Sequence, residues 1–431
     1  MLTKNLHVNE CGHLTFGGAD MVALAREFGT PLYVMDENMI RENCRSFLTA
    51  FDVYYNGNGF PAFAGKAFIC KEMCRILAGE GMGLDVVSGG ELYTAAQAGF
   101  PMERIFFHGN HKTAAELTLA LDQNVGRIVV DNMTELQTLN RLAAEKGKTA
   151  DILLRLKPGV EAHTHDFIRT GQIDSKFGFA IETGEATEAV KTALGFTHIR
   201  LWGIHCHIGS QIFEAVPFQT AAEVMLGFMI RVKESFGAVL SELNLGGGFG
   251  IKYLDEDSPS PYDAFIKEVS AALRDYSAKS GFPLPKVFIE PGRAITGPAG
   301  LTLYTVGSVK IIPGIRSYVI IDGGMGDNPR YALYGAPYQA VAAAKAGEPR
   351  TETVTIAGRC CESGDLIQEH TKLQKTEPGD IIAVLATGAY NYAMSSNYNR
   401  FPRPPVVMVK NGEARVVVKG ETYEDLLRND L

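Results

Sequence analysis

Eight short apolar runs, each ending in a polar residue or a glycine, recur through residues 37–290 and alternate with stretches of helical spacing. The runs occupy 61–66, 83–88, 104–108, 126–131, 151–157, 200–207, 242–247 and 287–290. Helical patterning fills 68–78, 89–98, 113–122, 134–146, 184–194, 217–236 and 262–280. Strands alternating with helices imply βαβ units and a parallel sheet. Eight of them within about 250 residues match the dimensions of a (β/α)8 TIM barrel. An open doubly wound sheet is the alternative arrangement. Ser88 and Glu91 carry the spacing of a helix-starting capping box.

The position of the reactive residues favours the barrel. Lys66, Asp85, His108, Asp131, His205, His207 and Glu290 all fall at or near the C-terminal ends of the runs. In a barrel those ends converge on one face, where active sites assemble. In an open sheet they would be strung along an edge.

Beyond Gly297 the texture changes to closely spaced β-rich runs at 301–312, 318–321, 353–356, 381–385, 406–409 and 415–418, separated by Gly/Pro turns, with one helical stretch at 421–428. This predicts a mostly antiparallel β-sandwich or barrel. The strand-like pieces 6–8 and 31–34 precede the first barrel run. The expected division is a barrel domain over 36–297 and a β domain built from 1–35 and 298–431.

A net charge of −8 and the lack of a long basic run argue against nucleic acid and anionic membrane surfaces as partners, leaving small-molecule chemistry. The N-terminal residues show no secretory pattern, and no apolar run reaches membrane-spanning length. The seven cysteines lack paired CxxC spacing, so neither a disulfide framework nor a zinc ribbon is expected. These features predict a cytoplasmic protein with reduced thiols.

Three features define a chemistry. Lys66 ends the first run, where an amine can form a Schiff base. Gly246-Gly247-Gly248-Phe249-Gly250 follows the seventh, and consecutive glycines let backbone N–H groups approach a phosphate. Glu290 ends the eighth and opens into Pro291-Gly292-Arg293. An amine, a phosphate cradle and a carboxylate able to keep a pyridine nitrogen protonated are what pyridoxal 5'-phosphate requires. The pair His205 and His207 would suit a metal in hydrolases of this architecture, but it sits on the sixth run and no metal is expected. Asp131 and Arg155 read as polar residues capping the barrel. His163 and His165 flank a polar segment, 164–174, that could form a lid.

Taken jointly and in order, FAGKAF at 63–68, HGNHK at 108–112, THDFIRTGQIDSKFGF at 164–179, HCHIGSQ at 205–211, GGGFG at 246–250, EPGR at 290–293, CESGD at 361–365 and GAYNYAMSSNYNRFPRP at 388–404 resemble the pyridoxal-phosphate decarboxylases with an alanine-racemase-like barrel, specifically the diaminopimelate decarboxylases. The resemblance covers nearly the whole chain. It implies decarboxylation of meso-2,6-diaminopimelate to L-lysine, the last step of lysine biosynthesis. Lys66 would carry the internal aldimine, with Asp85 near it and His207 stacked on the ring. Ser210, Gly247, Gly248 and Tyr390 would contact the phosphate, joined by amides of Gly292 and Arg293, while Glu290 would pair with the pyridinium. Arg293, Arg330, Tyr334, Glu362 and Tyr390 would bind substrate. Cys361 and Glu362 would arrive from the second subunit of a homodimer with shared sites, Cys361 being a candidate proton donor with Lys66 as competitor.

A distal amino-acid head calls for arginine forks, and an acidic partner for the ring nitrogen suits decarboxylation, whereas alanine racemases of this fold place an arginine there. The open alternatives are a sister decarboxylase acting on carboxynorspermidine, ornithine or arginine, and a non-catalytic homologue. Phe63 stands where the family more usually has tyrosine, and 325–331 departs from its common form around the substrate arginine.

Overall fold

The structure, a computed structural model, describes residues 2–160 and 175–431. His163, His165 and the expected lid segment therefore lie outside the described residues. The chain divides into two compact units, Asn43–Gly250 with Pro259–Gly292, and Met1–Glu42 with Ile251–Ser258 and Arg293–Leu431.

The first unit is a closed parallel barrel. Its strands are β1 (Gly59–Ala64), β2 (Gly83–Val86), β3 (Ile105–Phe107), β4 (Arg127–Val130), β5 (Ala150–Lys157), β6 (Ile199–His205), β7 (Glu242–Asn244) and β8 (Lys286–Ile289). Each pairs in parallel with the next, and β8 returns to β1 with Phe288 beside Phe60, so no edge is left open. All eight expected strands are present and the open-sheet alternative is excluded. A two-residue strand, Phe179–Ala180, adds to β5 outside the ring.

Strand residues two apart share a face, and this period fills the barrel in layers. Ala62, Phe106, Val129, Leu153 and Phe288 meet in one buried cluster, flanked by Phe60 and Trp202. Phe106 and Phe60 contact Phe288 with ring centroids 4.9 and 4.8 Å apart. Each buried phenylalanine contributes about 2 kcal/mol through the apolar surface it removes from water. The barrel is thus plugged at mid-height and can hold chemistry only above the plug.

The helices bury one stripe each. In Tyr262–Ser280 the buried positions are Phe265, Ile266, Val269, Ser270, Ala272 and Leu273, the spacing of a single helical face. The helix after β1 begins at Lys71 rather than at residue 68, because Cys70 is its N-cap and Gly65–Ala67 forms a 3-10 turn first. The capping box at Ser88 is half formed. The Ser88 hydroxyl accepts from the Glu91 N–H at 3.2 Å, but the Glu91 carboxylate accepts from Val87 instead of Ser88.

The second unit centres on a mostly antiparallel sheet. The long strand Gly300–Ile312 pairs antiparallel with Arg316–Ile321, Ile381–Leu385 and Leu32–Asp36. Val406–Lys410 joins Leu32–Asp36 in parallel, and Glu352–Ala357 joins Arg316–Ile321 in parallel. Leu366–Leu373 and Ala340–Ala342 were not evident as apolar runs. The first is amphipathic and half exposed, and the second is only three residues long. A separate three-stranded sheet contains Leu6–Val8. No helix among the described residues is long and apolar enough to cross a membrane.

Candidate active site

The residues one period above the barrel plug are polar. Asp85 follows Gly83, His108 follows Phe106, Asp131 follows Val129, Arg155 follows Leu153, Asn244 follows Glu242 and Glu290 follows Phe288. The plug excludes water from below, so this layer must satisfy its charges internally.

Glu290 is the hub. Its carboxylate accepts a 2.7 Å hydrogen bond from Asn244 Nδ2 and contacts His108 Nε2 at 2.7 Å and His205 Nε2 at 3.2 Å. Burial alone would raise its pKa, but the two imidazoles outweigh that and hold it well below the usual carboxylate range. Burial pushes His205 down to about 4. The result is an ionised carboxylate inside the barrel. His108, His205 and Glu290 are also the one His/Cys/Asp/Glu group among the described residues close enough together to suggest a metal. A 2.7 Å separation is too short for two atoms each about 2.0–2.1 Å from a tetrahedral ion, which stand about 3.4 Å apart. The contact is that of an imidazole set directly against a carboxylate.

Lys66 lies in the 3-10 turn directly after β1, its residue exposed among buried neighbours. That turn packs on the end of β2, since a Cβ on Gly65 would stand 2.9 Å from the Asp85 carbonyl oxygen and 3.4 Å from Glu91 Oε2. Burial pushes Asp85 up to about 6, against the pull of His108 and Lys66, and Asp85 Oδ1 lies 3.7 Å from His108 Nε2. Glu91 is pushed up to about 7, again by burial.

The glycine loop is held by backbone. A Cβ at Gly246 would come within 2.5 Å of the Cys206 carbonyl, at Gly247 within 2.2 Å of the Glu290 carbonyl, and at Gly248 within 2.5 Å of the Gly209 carbonyl. Gly248 also has φ +118°, a conformation L side chains rarely adopt. Ile212 donates to the Gly248 carbonyl at 2.9 Å and Gly250 donates to Ile212 at 3.0 Å, binding the loop to the segment that carries Ser210. His207 Nδ1 accepts from the Gly247 N–H at 3.2 Å, which puts the proton of the neutral ring on Nε2. His207 is half-buried, and burial, then the charge of Lys66, hold it well below its ordinary value. A Cβ on Gly292 would stand 2.9 Å from the Ala64 Cβ.

This set fits pyridoxal phosphate. A reachable amine, an ionised carboxylate at the same end of the barrel and glycine loops open to a phosphate are the groups that cofactor needs.

The second unit carries the remaining residues. Arg293 and Arg330 are both buried. Arg293 Nη1 donates to Tyr253 Oη at 2.6 Å, and Arg330 Nη1 donates to Tyr338 Oη at 2.7 Å. The Arg293 guanidinium also lies 4.8 Å from the ring centre of Tyr390, whose φ is 61°. Tyr334 is 40% exposed, and Cys361 and Glu362 are exposed. The Cys361 N–H donates to Asn399 Oδ1 at 2.7 Å.

Sequence reading assigned no roles to Asn244, His108, Tyr253 or Tyr338. Period two in β7, with Gly246 next in the same series, was a usable signal for Asn244. Tyr253 and Tyr338 are 85 positions apart, and only folding brings them together.

Residues 37–297 match the family described as pyridoxal-dependent decarboxylase, pyridoxal binding domain. The chain is 51% identical to the diaminopimelate decarboxylase of Bacillus subtilis (strain 168), over 98% of this chain and 96% of that protein. It is 46% identical to that of Staphylococcus aureus (strain COL), over 98% of each. The crystal structure of diaminopimelate decarboxylase from M. jannaschii with L-lysine superposes with a TM-score of 0.92 at 35% identity, covering 100% of this chain and 99% of that one. The lysine/ornithine decarboxylase of Vibrio vulnificus with cadaverine matches at a TM-score of 0.75 and 25% identity, covering 90% and 97%.

Proposed function

The chain belongs to the diaminopimelate decarboxylases, within the pyridoxal-dependent decarboxylases, and from that premise we propose that it removes carbon dioxide from meso-2,6-diaminopimelate to leave L-lysine. It is a carboxy-lyase that uses pyridoxal 5'-phosphate. When bound, the cofactor supplies an aldehyde that condenses with amines and a protonated ring that accepts the electron pair left by the departing carboxylate.

The observation that carries the reading is Glu290, buried, held ionised by two histidines and an asparagine, and set on the barrel face that also bears Lys66. A fixed negative charge there would stabilise a proton on the ring nitrogen of the bound cofactor. Lys66, exposed among buried neighbours, would hold the cofactor through its amine. Asp85 and Glu91 buffer charge around that lysine. His207 would lie against the cofactor ring, and Ser210, Gly247, Gly248, Gly292, the Arg293 amide and Tyr390 would hold its phosphate. Arg293, Arg330 and Tyr334 bind the carboxylate at the far end of the substrate, and Glu362 its ammonium.

We assign the returning proton to Cys361, with Lys66 as the competing donor. Cys361 and Glu362 are exposed in the single chain, which supports a homodimer in which each subunit lends these residues to the other. Seven cysteines, all free, support a reducing, cytoplasmic setting. The test is release of carbon dioxide and L-lysine from meso-diaminopimelate by protein showing a visible absorption band that Lys66→Ala abolishes. Turnover of ornithine or arginine with none of meso-diaminopimelate would overturn the substrate.

A further inference from the structure

Two guanidiniums of like charge are buried near one another in the second unit, and something must hold them there. Arg293 and Arg330 are each 8% exposed, and the side chain common to both is Tyr253, 5% exposed. Its hydroxyl accepts from Arg293 Nη1 at 2.6 Å. Its ring faces the Arg330 guanidinium at 5.0 Å and the Arg293 guanidinium at 5.8 Å. Tyr338 completes the frame. It stands edge-on to Tyr253 with centroids 5.5 Å apart, accepts from Arg330 Nη1 at 2.7 Å and is itself held by Asn391 Nδ2 at 3.2 Å.

The partners of Arg330 are phenols, with no carboxylate in ion-pair contact among the described residues. A phenol orients a guanidinium without neutralising it, so the positive charge stays available to a ligand anion. Burial would raise the Tyr253 phenol, yet Arg293 and Arg330 pull it below its ordinary value, which fits a cationic frame. The backbone under Tyr253 is fixed too. Asp257 Oδ2 accepts from both the Tyr253 and Leu254 N–H groups at 2.9 Å. In sequence Tyr253 stands three residues after Gly250, and Arg293 three residues after Glu290, so both are tied by short peptides to loops assigned to the cofactor.

We propose that Tyr253 is a specificity-determining positioning residue, which aligns Arg293 and Arg330 so that together they select ligands bearing a carboxylate at the end remote from the reacting carbon. The inference rests on the reading of these arginines as the distal-carboxylate site. It goes beyond that reading by making discrimination a property of the tyrosine frame.

The experiment compares L-lysine, which keeps a carboxylate, with cadaverine, the same diamine without one. Binding of each to the pyridoxal-phosphate-loaded protein is measured by titration calorimetry, independently of turnover. The wild type favours lysine. In Tyr253→Phe, which keeps the ring and removes the acceptor, the preference for lysine falls by about tenfold or more, as for loss of a hydrogen bond to a charged group, while cadaverine binding is little altered. Tyr338→Phe shifts the ratio in the same direction. A ratio equal to the wild type in Tyr253→Phe would overturn the proposal, and so would equal weakening of both ligands, which would mark a packing role. Failure of the wild type to decarboxylate meso-diaminopimelate would instead overturn the assigned reaction, and the binding ratio would still decide the role of Tyr253.

Discussion

Asn244 Nδ2 donates a 2.7 Å hydrogen bond to Glu290 Oε1, and both side chains are buried within the barrel. The pair joins the ends of neighbouring strands β7 and β8. It helps keep a carboxylate ionised where solvent cannot.

Replacing that charge tests the reaction. Glu290→Gln preserves shape and removes the fixed anion, so kcat for decarboxylation should fall by about 100-fold or more, in the range seen when one preorganised electrostatic partner is lost. The visible band should persist, because Lys66 is untouched. Steady-state kinetics with absorption spectra check this, and a fall of less than tenfold would contradict the role.

Acid should destabilise the barrel through His205. Burial holds its folded value down to about 4 against an ordinary 6.5. A depressed folded value contributes stability that is present above about pH 6.5 and lost as pH falls toward 4. Between pH 7.5 and 4.5 the wild type should lose on the order of 2 kcal/mol more than His205→Gln. Urea denaturation at both pH values measures the difference, and equal losses would refute it.

Gly248→Ala should damage both fold and cofactor retention. The new Cβ would lie 2.5 Å from the Gly209 carbonyl oxygen, at a φ of +118°. Strain of this kind costs about 1–3 kcal/mol. The melting temperature should drop and pyridoxal phosphate should dissociate more readily on dialysis, followed by loss of the visible band.

Lys112 and Glu135 form a buried ion pair at 2.8 Å, and Lys112 Nζ also donates to the carbonyls of Gly109 and Val129 at 2.9 Å. Lys112→Met leaves Glu135 buried without its cation and should cost about 3–5 kcal/mol. Adding Glu135→Leu should recover most of that, because the stranded charge goes too. Chemical denaturation of both variants checks the order.

Cys361→Ala separates the two proton donors. If Cys361 returns the proton, kcat should fall by about 100-fold or more, within the range of a lost general acid. Calorimetric lysine binding should change by less than threefold. A kcat near that of the wild type would assign the step to Lys66.

The barrel, and which residues stand at the C-terminal ends of its strands, were legible in the sequence. Strand periodicity of two and helical periodicity of 3.6 are local properties, written into runs such as 126–131 and 262–280, and eight repeats of them leave few topologies. Lys66, the glycine loop and Glu290 were legible because each stands at a fixed offset from such a run. The electrostatics arise only on folding. The ionised state of Glu290 depends on His108, Asn244 and His205, contributed by three other strands or their C-terminal extensions. The orientation of Arg293 and Arg330 depends on Tyr253 and Tyr338, which no local pattern links. Charge stabilisation falls off with distance and rises with burial, so it is fixed only when folding brings distant residues within a few ångströms and excludes water between them.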